Sequence, residues 1–164
     1  MCNHQKKLVI SGTVSPLLQR RRAAKLIGLG LFMPMAACGQ KTLTHTVLSV
    51  EMFSYVDRVV HDIFFNGSDL GVMNRYGGTG TITGERIPFG VQTLTWVLGG
   101  PKGTPRNGEQ MRIKNALIIT PDQIPHGTGC LGLHLYPDDT AEVTFAETIP
   151  ERTARGRKIL SERR

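Results

Sequence analysis

The chain is poor in the features by which most sequences announce a chemistry. It has three cysteines, one tryptophan and only 6% aromatic residues. No apolar run reaches the roughly 20 residues that a transmembrane helix needs. No segment carries apolar residues at i, i+3, i+4 and i+7 through three turns, which argues against a helical domain. His45, His61, His126 and His134 fall in no short metal spacing such as H-x-H or H-E-x-x-H, and a zinc site cannot be built on the single domain cysteine, Cys130. Ser49, Ser54, Ser68 and Ser161 lie in no G-x-S-x-G elbow, which removes the α/β-hydrolase route. The glycines between Gly77 and Gly84 are followed by neither Gly-Lys-Ser/Thr nor a helical pattern, so a turn leading into a Thr-rich edge strand is the better reading than a phosphate loop. These gaps lead us to expect no catalytic constellation, no metal and no cofactor, and Cys130 reads as a small buried hydrophobe.

What is present begins at the N-terminal end. Arg20, Arg21, Arg22 and Lys25 precede twelve uncharged residues, Leu26 to Ala37, and the run closes on Met35-Ala36-Ala37-Cys38. A basic region, a short apolar region and small residues at a cleavage point make an export signal. Because a cysteine follows the small pair, the site resembles a lipobox, with Cys38 as the lipid attachment residue. Twelve residues of helix would rise only about 18 Å against a hydrocarbon core of roughly 30 Å, and Gly28, Gly30 and Pro34 make a poor core helix. Ala23 and Ala24 stand where a twin-arginine signal wants bulky apolar residues, so the leader reads as an ordinary Sec type. Gly39 after the cysteine, in place of Asp, favours the periplasmic face of the outer membrane over retention at the inner one. The expected organisation is a signal peptide over 1–37, an anchor and short linker over 38–43, a domain over 44–149 and a charged tail over 150–164.

Charge changes meaning once the leader is set aside. The formal net charge is +7, but residues 1–38 hold six Lys/Arg and no Asp/Glu. From Gly39 to Thr148 there are 8 basic and 11 acidic residues. A nucleic-acid partner needs a basic face, and none is visible there. The acidic balance instead favours steering towards a basic protein surface. The tail from Pro150 alternates charges with little apolar content beyond Ile159 and Leu160, and reads as solvated, with at most a helical turn.

Alternation dominates the domain. Leu94, Trp96 and Leu98 interleave with Thr93, Thr95 and Val97, and Leu131, Leu133 and Leu135 interleave with Gly132, His134 and Tyr136. Such period-two patterns are half-buried strands. Turn signals separate them at Asn66-Gly67, Gly77-Gly78, Gly99-Gly100-Pro101, Asn107-Gly108 and Pro137-Asp138-Asp139. We expect strands near 44–52, 56–66, 69–74, 79–84, 91–98, 110–119, 130–136 and 141–148. The fold class is all-β, a single antiparallel β-sandwich of about seven to eight strands with Trp96 at its centre. Thr120-Pro121-Asp122-Gln123 can cap one helical turn. His134, opposite the three leucines, is expected to point outward or into a groove, and His61 and Asp62 to lie on opposite faces. Asp138-Asp139 is turn chemistry before it is a calcium ligand.

Beyond the anchor, the stretch from Met52 to Glu147 resembles an uncharacterised family of small proteobacterial lipoproteins. The residues that carry the resemblance are Val60 to Gly67, Gly77-Gly78, Leu94-Thr95-Trp96 and Leu133 to Asp139. Genes of this family often stand beside type VI secretion effectors of the phospholipase kind. The resemblance therefore implies an immunity lipoprotein that binds such an effector in the periplasm and occludes it; a structural or assembly lipoprotein of the envelope is the alternative. Binding usually sits on glycine- and proline-rich loops of a rigid scaffold. On that ground Asn74–Gly78 and Gly99–Gly108 are the candidate partner-binding loops, with Asn74, Arg75, Tyr76, Lys102 and Arg106 as their side chains. The expected partners are thus a protein and, through the anchor, a membrane.

Overall fold

Alternating apolar residues can be buried on one side only when strands are laid edge to edge, and this is how the chain uses them. The computed structural model describes residues 44–163; the leader, the linker and Cys38 lie outside the described residues. In chain order the elements are β1 (His45–Ser54), β2 (Val60–Phe65), β3 (Ser68–Met73), β4 (Ile82–Pro88), β5 (Gly90–Gln92), β6 (Leu94–Leu98), β7 (Gln110–Arg112), β8 (Leu117–Ile119), β9 (Cys130–Leu135), β10 (Ala141–Ala146) and the helix α1 (Ala154–Ser161). One sheet has the order β10-β9-β1-β4, a second β3-β2-β6-β7, and β5 pairs with β8. The all-β class expected from the alternation is what the structure has.

One core joins the two larger sheets. Val50, Met52, Leu131 and Leu133 from the first meet Val60, Ile63, Phe65, Leu94, Trp96 and Leu98 from the second. Trp96 is buried there, with its Nε1 lacking a hydrogen-bond partner among the described residues. The alternation of β6 serves this core directly, since Leu94, Trp96 and Leu98 are its buried positions.

Three expectations are corrected. First, the pairing is not wholly antiparallel: β1 runs parallel to β9, in register from Ser49 opposite Cys130 to Ser54 opposite Leu135. Second, two of the expected strands are each split between sheets, giving ten strands among the described residues. The 91–98 run breaks at Thr93, whose N–H donates to Asn66 Oδ1 and whose C=O accepts from the Asn66 N–H, both at 2.9 Å. The buried Gln92 side chain fixes the same corner by donating to the carbonyls of Pro88 and Gly90. The 110–119 run breaks at Asn115, whose amide bonds both backbone groups of Ala141 at 2.8 Å, as a neighbouring strand would. At Thr120–Gln123 the expected turn is a short 3-10 helix, with Gln123 Oε1 accepting from the Thr120 N–H.

The third correction concerns the C-terminal residues, which are not a solvated tail. α1 is capped at its start by Thr153, whose Oγ1 accepts from the Gly156 N–H at 3.0 Å. The helix lies on the outer face of the first sheet, where Phe53, Tyr55 and Tyr136 form a second small core with Ile159 and Leu160. As a result all six residues of β9 are buried, one side by the main core and the other beneath this cover. Gly156 is the point of closest approach, because a Cβ there would overlap the Tyr55 ring. Gly156→Val should therefore lift the helix off the sheet and destabilise the fold by about 1–3 kcal/mol, the usual range for overpacking. Urea unfolding measures the loss, and dye binding should report the uncovered aromatic residues.

Candidate partner-binding face

The end of β1 organises one face of the molecule. After Ser54 the chain turns through Val56–Val59, and both candidate loops are tied to this turn. The Tyr76 N–H donates to Val56 C=O at 3.0 Å, and the Ser54 N–H donates to Gly77 C=O at 2.9 Å. Gly78 forms a bridge to Phe53, and the Thr79 N–H donates to Met52 C=O. On the other side, the Gly99 N–H donates to Val59 C=O at 2.9 Å. Arg58 completes the tie: its Nε and Nη2 donate to Gly99 C=O and its Nη1 to Pro105 C=O, all within 3.1 Å. Loops far apart in sequence thus share a single turn.

Each loop has a backbone conformation that its sequence does not favour. Tyr76 has φ of +54° and Arg106 has φ of +61°. Left-handed backbone is uncommon for side chains of this bulk and is kept only where the surroundings impose it. At Tyr76 the surroundings are the bond to Val56 and the Arg163 guanidinium, which lies 4.6 Å from the ring centre. Arg106 is held by Glu109, which accepts from its Nε at 2.6 Å and its Nη2 at 2.9 Å. That exposed pair lowers the Glu109 carboxyl below its ordinary value, the hydrogen bond from Arg106 being the main cause.

Between the first loop and the end of α1 lies an open groove of about 450 Å³, lined by Asp57, Arg75, Tyr76, Leu160 and Arg163. Arg75 and Asp57 form a loose exposed pair at 3.7 Å. Of the residues expected to bind, Arg75 and Tyr76 line the groove and Asn74 closes the turn beneath them through its C=O to the Gly77 N–H. Lys102 and Arg106 belong to the second loop, across the Val56–Val59 turn. Cys38 lies outside the described residues. Arg58, Leu160 and Arg163 were missed. Arg58 gives no sequence signal, and the other two sit in the segment read as a solvated tail.

The charge of this face is opposite in sign to that of the domain as a whole. The turn, the two loops and the groove wall carry Arg58, Arg75, Lys102, Arg106 and Arg163 against Asp57 and Glu109. The acidic balance of the domain lies elsewhere on its surface.

Beneath α1 a buried polar cluster lies on the outer side of β9 and β10. His134, expected to face outward or into a groove, is fully buried. It stacks on Phe53 with ring centres 5.0 Å apart, its Nδ1 is 3.0 Å from the Tyr55 hydroxyl and its Nε2 is 3.0 Å from Thr144 Oγ1. The face was read correctly, but the C-terminal segment covers it. Nearby, the Tyr136 hydroxyl donates to Glu142 and lies 2.7 Å from Thr153 Oγ1. Burial, together with that bond to Glu142, pushes the Tyr136 phenol well above its ordinary range. Burial also raises Tyr55.

The remaining candidates stand apart from the groove. His61 Nδ1 and Asp62 Oδ2 are 3.0 Å apart, on one side of β2 and not on opposite faces, because Asp62 has φ of +48° at a break in the strand register. His61 is half-buried and Asp62 exposed. Cys130 is buried. Asp138 accepts from Arg155 Nη2 at 2.8 Å, and Asp139 pairs with Lys114 at 2.7 Å. Among the described residues no group of three or more His, Cys, Asp or Glu side chains could hold a metal ion. No protein-family model, curated protein or solved structure matches the chain.

Burial holds the His134 imidazole down at about 4 from its ordinary 6.5, an effect that the Glu142 charge opposes and the Arg152 charge strengthens. An unfolded chain takes up this proton as pH falls through its ordinary value, whereas the folded chain does so only near 4. The stability that neutral His134 contributes is therefore fully present above about pH 6.5 and is lost between there and pH 4, by a total on the order of 3 kcal/mol. Urea midpoints measured from pH 7.5 to pH 4 should show this acid limb. His134→Gln, which retains hydrogen-bonding capacity without titrating, should flatten it; parallel limbs in the two proteins would contradict the assignment.

Proposed function

We propose that the protein is a lipid-anchored protein-binding module of the cell envelope, acting as an immunity protein that occludes a type VI secretion phospholipase effector. The observation that most supports a binding role is the convergence of the Asn74–Gly78 and Gly99–Gly108 loops on one turn, each with a bulky residue held in left-handed backbone. Strained residues on loops fixed by a rigid scaffold are a recurring mark of binding surfaces. The effector class rests on the family resemblance, and the anchor on the Arg20–Cys38 pattern.

Orientation adds to this reading. β1 spans ten residues, about 30 Å at strand rise, between His45 and Ser54. β1 starts at His45, where the chain enters the described domain, and ends at the loop face, so the face lies at the opposite end of that strand from the entry of the chain. Occlusion by a tethered inhibitor also gains from effective concentration, since a lipase must come to the same membrane surface.

The assembly reading has one observation of its own. β7 ends the order of the second sheet, and a groove of about 600 Å³ lined by Glu109 to Lys114 runs beside it. An extended segment of an envelope protein could add there as a further strand.

Co-expression with the neighbouring gene's product, exported to the periplasm, separates the two. Immunity predicts rescue of growth and co-purification as a stable complex; persistent toxicity at matched expression without a complex would sink it in favour of assembly. Localisation is checked independently. Globomycin should accumulate the uncut precursor, and Cys38→Ala should release the protein from membranes.

A further inference from the structure

We infer that the loop face takes an acidic surface of its protein partner, with a carboxylate-bearing segment seated in the groove between Tyr76 and Leu160. This rests on the protein-binding reading and states the chemistry of what is bound.

Charge is segregated on this domain. Around the Val56–Val59 turn, five basic side chains stand against two acidic ones, while the rest of the described residues hold seven basic and eleven acidic. The two acids of the face do not neutralise it. Glu109 is fully engaged by Arg106. Asp57 meets Arg75 at 3.7 Å with both side chains more than 60% exposed, a geometry in which an ion pair is worth little and a better-placed carboxylate can take over the guanidinium. Lys102 has no ion pair among the described residues. In the groove itself, Arg163 lies over the Tyr76 ring and Arg75 lines the same concavity, so cations, an aromatic ring and the apolar Leu160 meet there. Arg and Tyr are the residue types that most often dominate binding energy at interfaces. A second and independent observation is the left-handed backbone of Tyr76, which is strained for a tyrosine and presents its ring to the groove.

An anionic membrane would share this charge preference. The geometry favours the protein, because the face stands at the far end of β1 from the residue where a tethered chain enters.

The test uses the full-length lipoprotein in detergent with the co-encoded effector, measuring association by surface-immobilised kinetics at several salt concentrations. Arg75→Glu with Lys102→Glu should slow association by about tenfold or more and flatten its salt dependence, as expected when steering charges are reversed. A charge reversal made away from both grooves, Arg86→Glu on β4, should leave binding within about twofold. Tyr76→Asn gives up the Arg163 contact but relieves the left-handed strain, so it should weaken the complex with at most a small shift in the thermal midpoint. If the complex forms and both face variants bind like the parent, the acidic-partner inference fails and the immunity reading stands. If no complex forms with the parent protein, both fail. Quenching of a Tyr76→Trp reporter by brominated phosphatidylglycerol in reconstituted vesicles would assign the face to the membrane and overturn the inference.

Discussion

Three guanidinium groups laid on aromatic rings hold the C-terminal segment to the sheet, and much of the molecule depends on that contact. Arg152 lies 5.2 Å from the Phe53 ring centre and 5.8 Å from that of Tyr55, Arg155 lies 3.8 Å from Tyr136, and Arg163 lies 4.6 Å from Tyr76. Such contacts are worth about 0.5–2 kcal/mol each, more when water is excluded. They explain how a segment with two large apolar residues can cover a sheet face. The Arg152 Nη1 atom is buried without a hydrogen-bond partner among the described residues, and the rings beneath the guanidinium are its compensation. Were the segment removed, β9 would have a wet side, His134 would regain water, and the groove would lose the wall made by Leu160 and Arg163.

The same cover links the buried histidine to the candidate face. α1 rests on Tyr55 through Gly156, and its far end reaches the loop that carries Tyr76. A proton forced onto His134 would sit under Arg152, close to its positive charge. The acid sensitivity of the fold and the integrity of the groove therefore share one structural element.

The apolar alternation of Leu94–Leu98 and Leu131–Leu135 made the all-β class and the place of Trp96 legible, because burial on one face leaves a period of two in the sequence. The sheet changes at Thr93 and Asn115 were not legible. Alternation continues through both, and only the three-dimensional partners of Asn66, Gln92 and Asn115 decide which sheet each half joins. His134 was placed on the correct side of its strand and given the wrong environment, since what covers that side comes from residues 152–160 and is recruited by rings, not by apolar periodicity. Of the candidate site, the glycine-rich loops were visible from their composition. Their convergence was not, because it depends on Arg58, a single surface-type residue whose three bonds all go to backbone carbonyls.

The parallel pairing of β1 with β9 also governs when this chain can fold. Its partners lie about eighty residues apart, and no local hairpin can substitute for that ladder. The first strand made is completed only by nearly the last, and the arm that seals its outer side comes later still. Topologies dominated by such distant contacts fold slowly. The second sheet, β3-β2-β6-β7, needs nothing beyond Arg112, whereas the first cannot close until residues near the C-terminal end are free. Under the export proposed above, that late closure of the first sheet would leave time for transport before folding is complete.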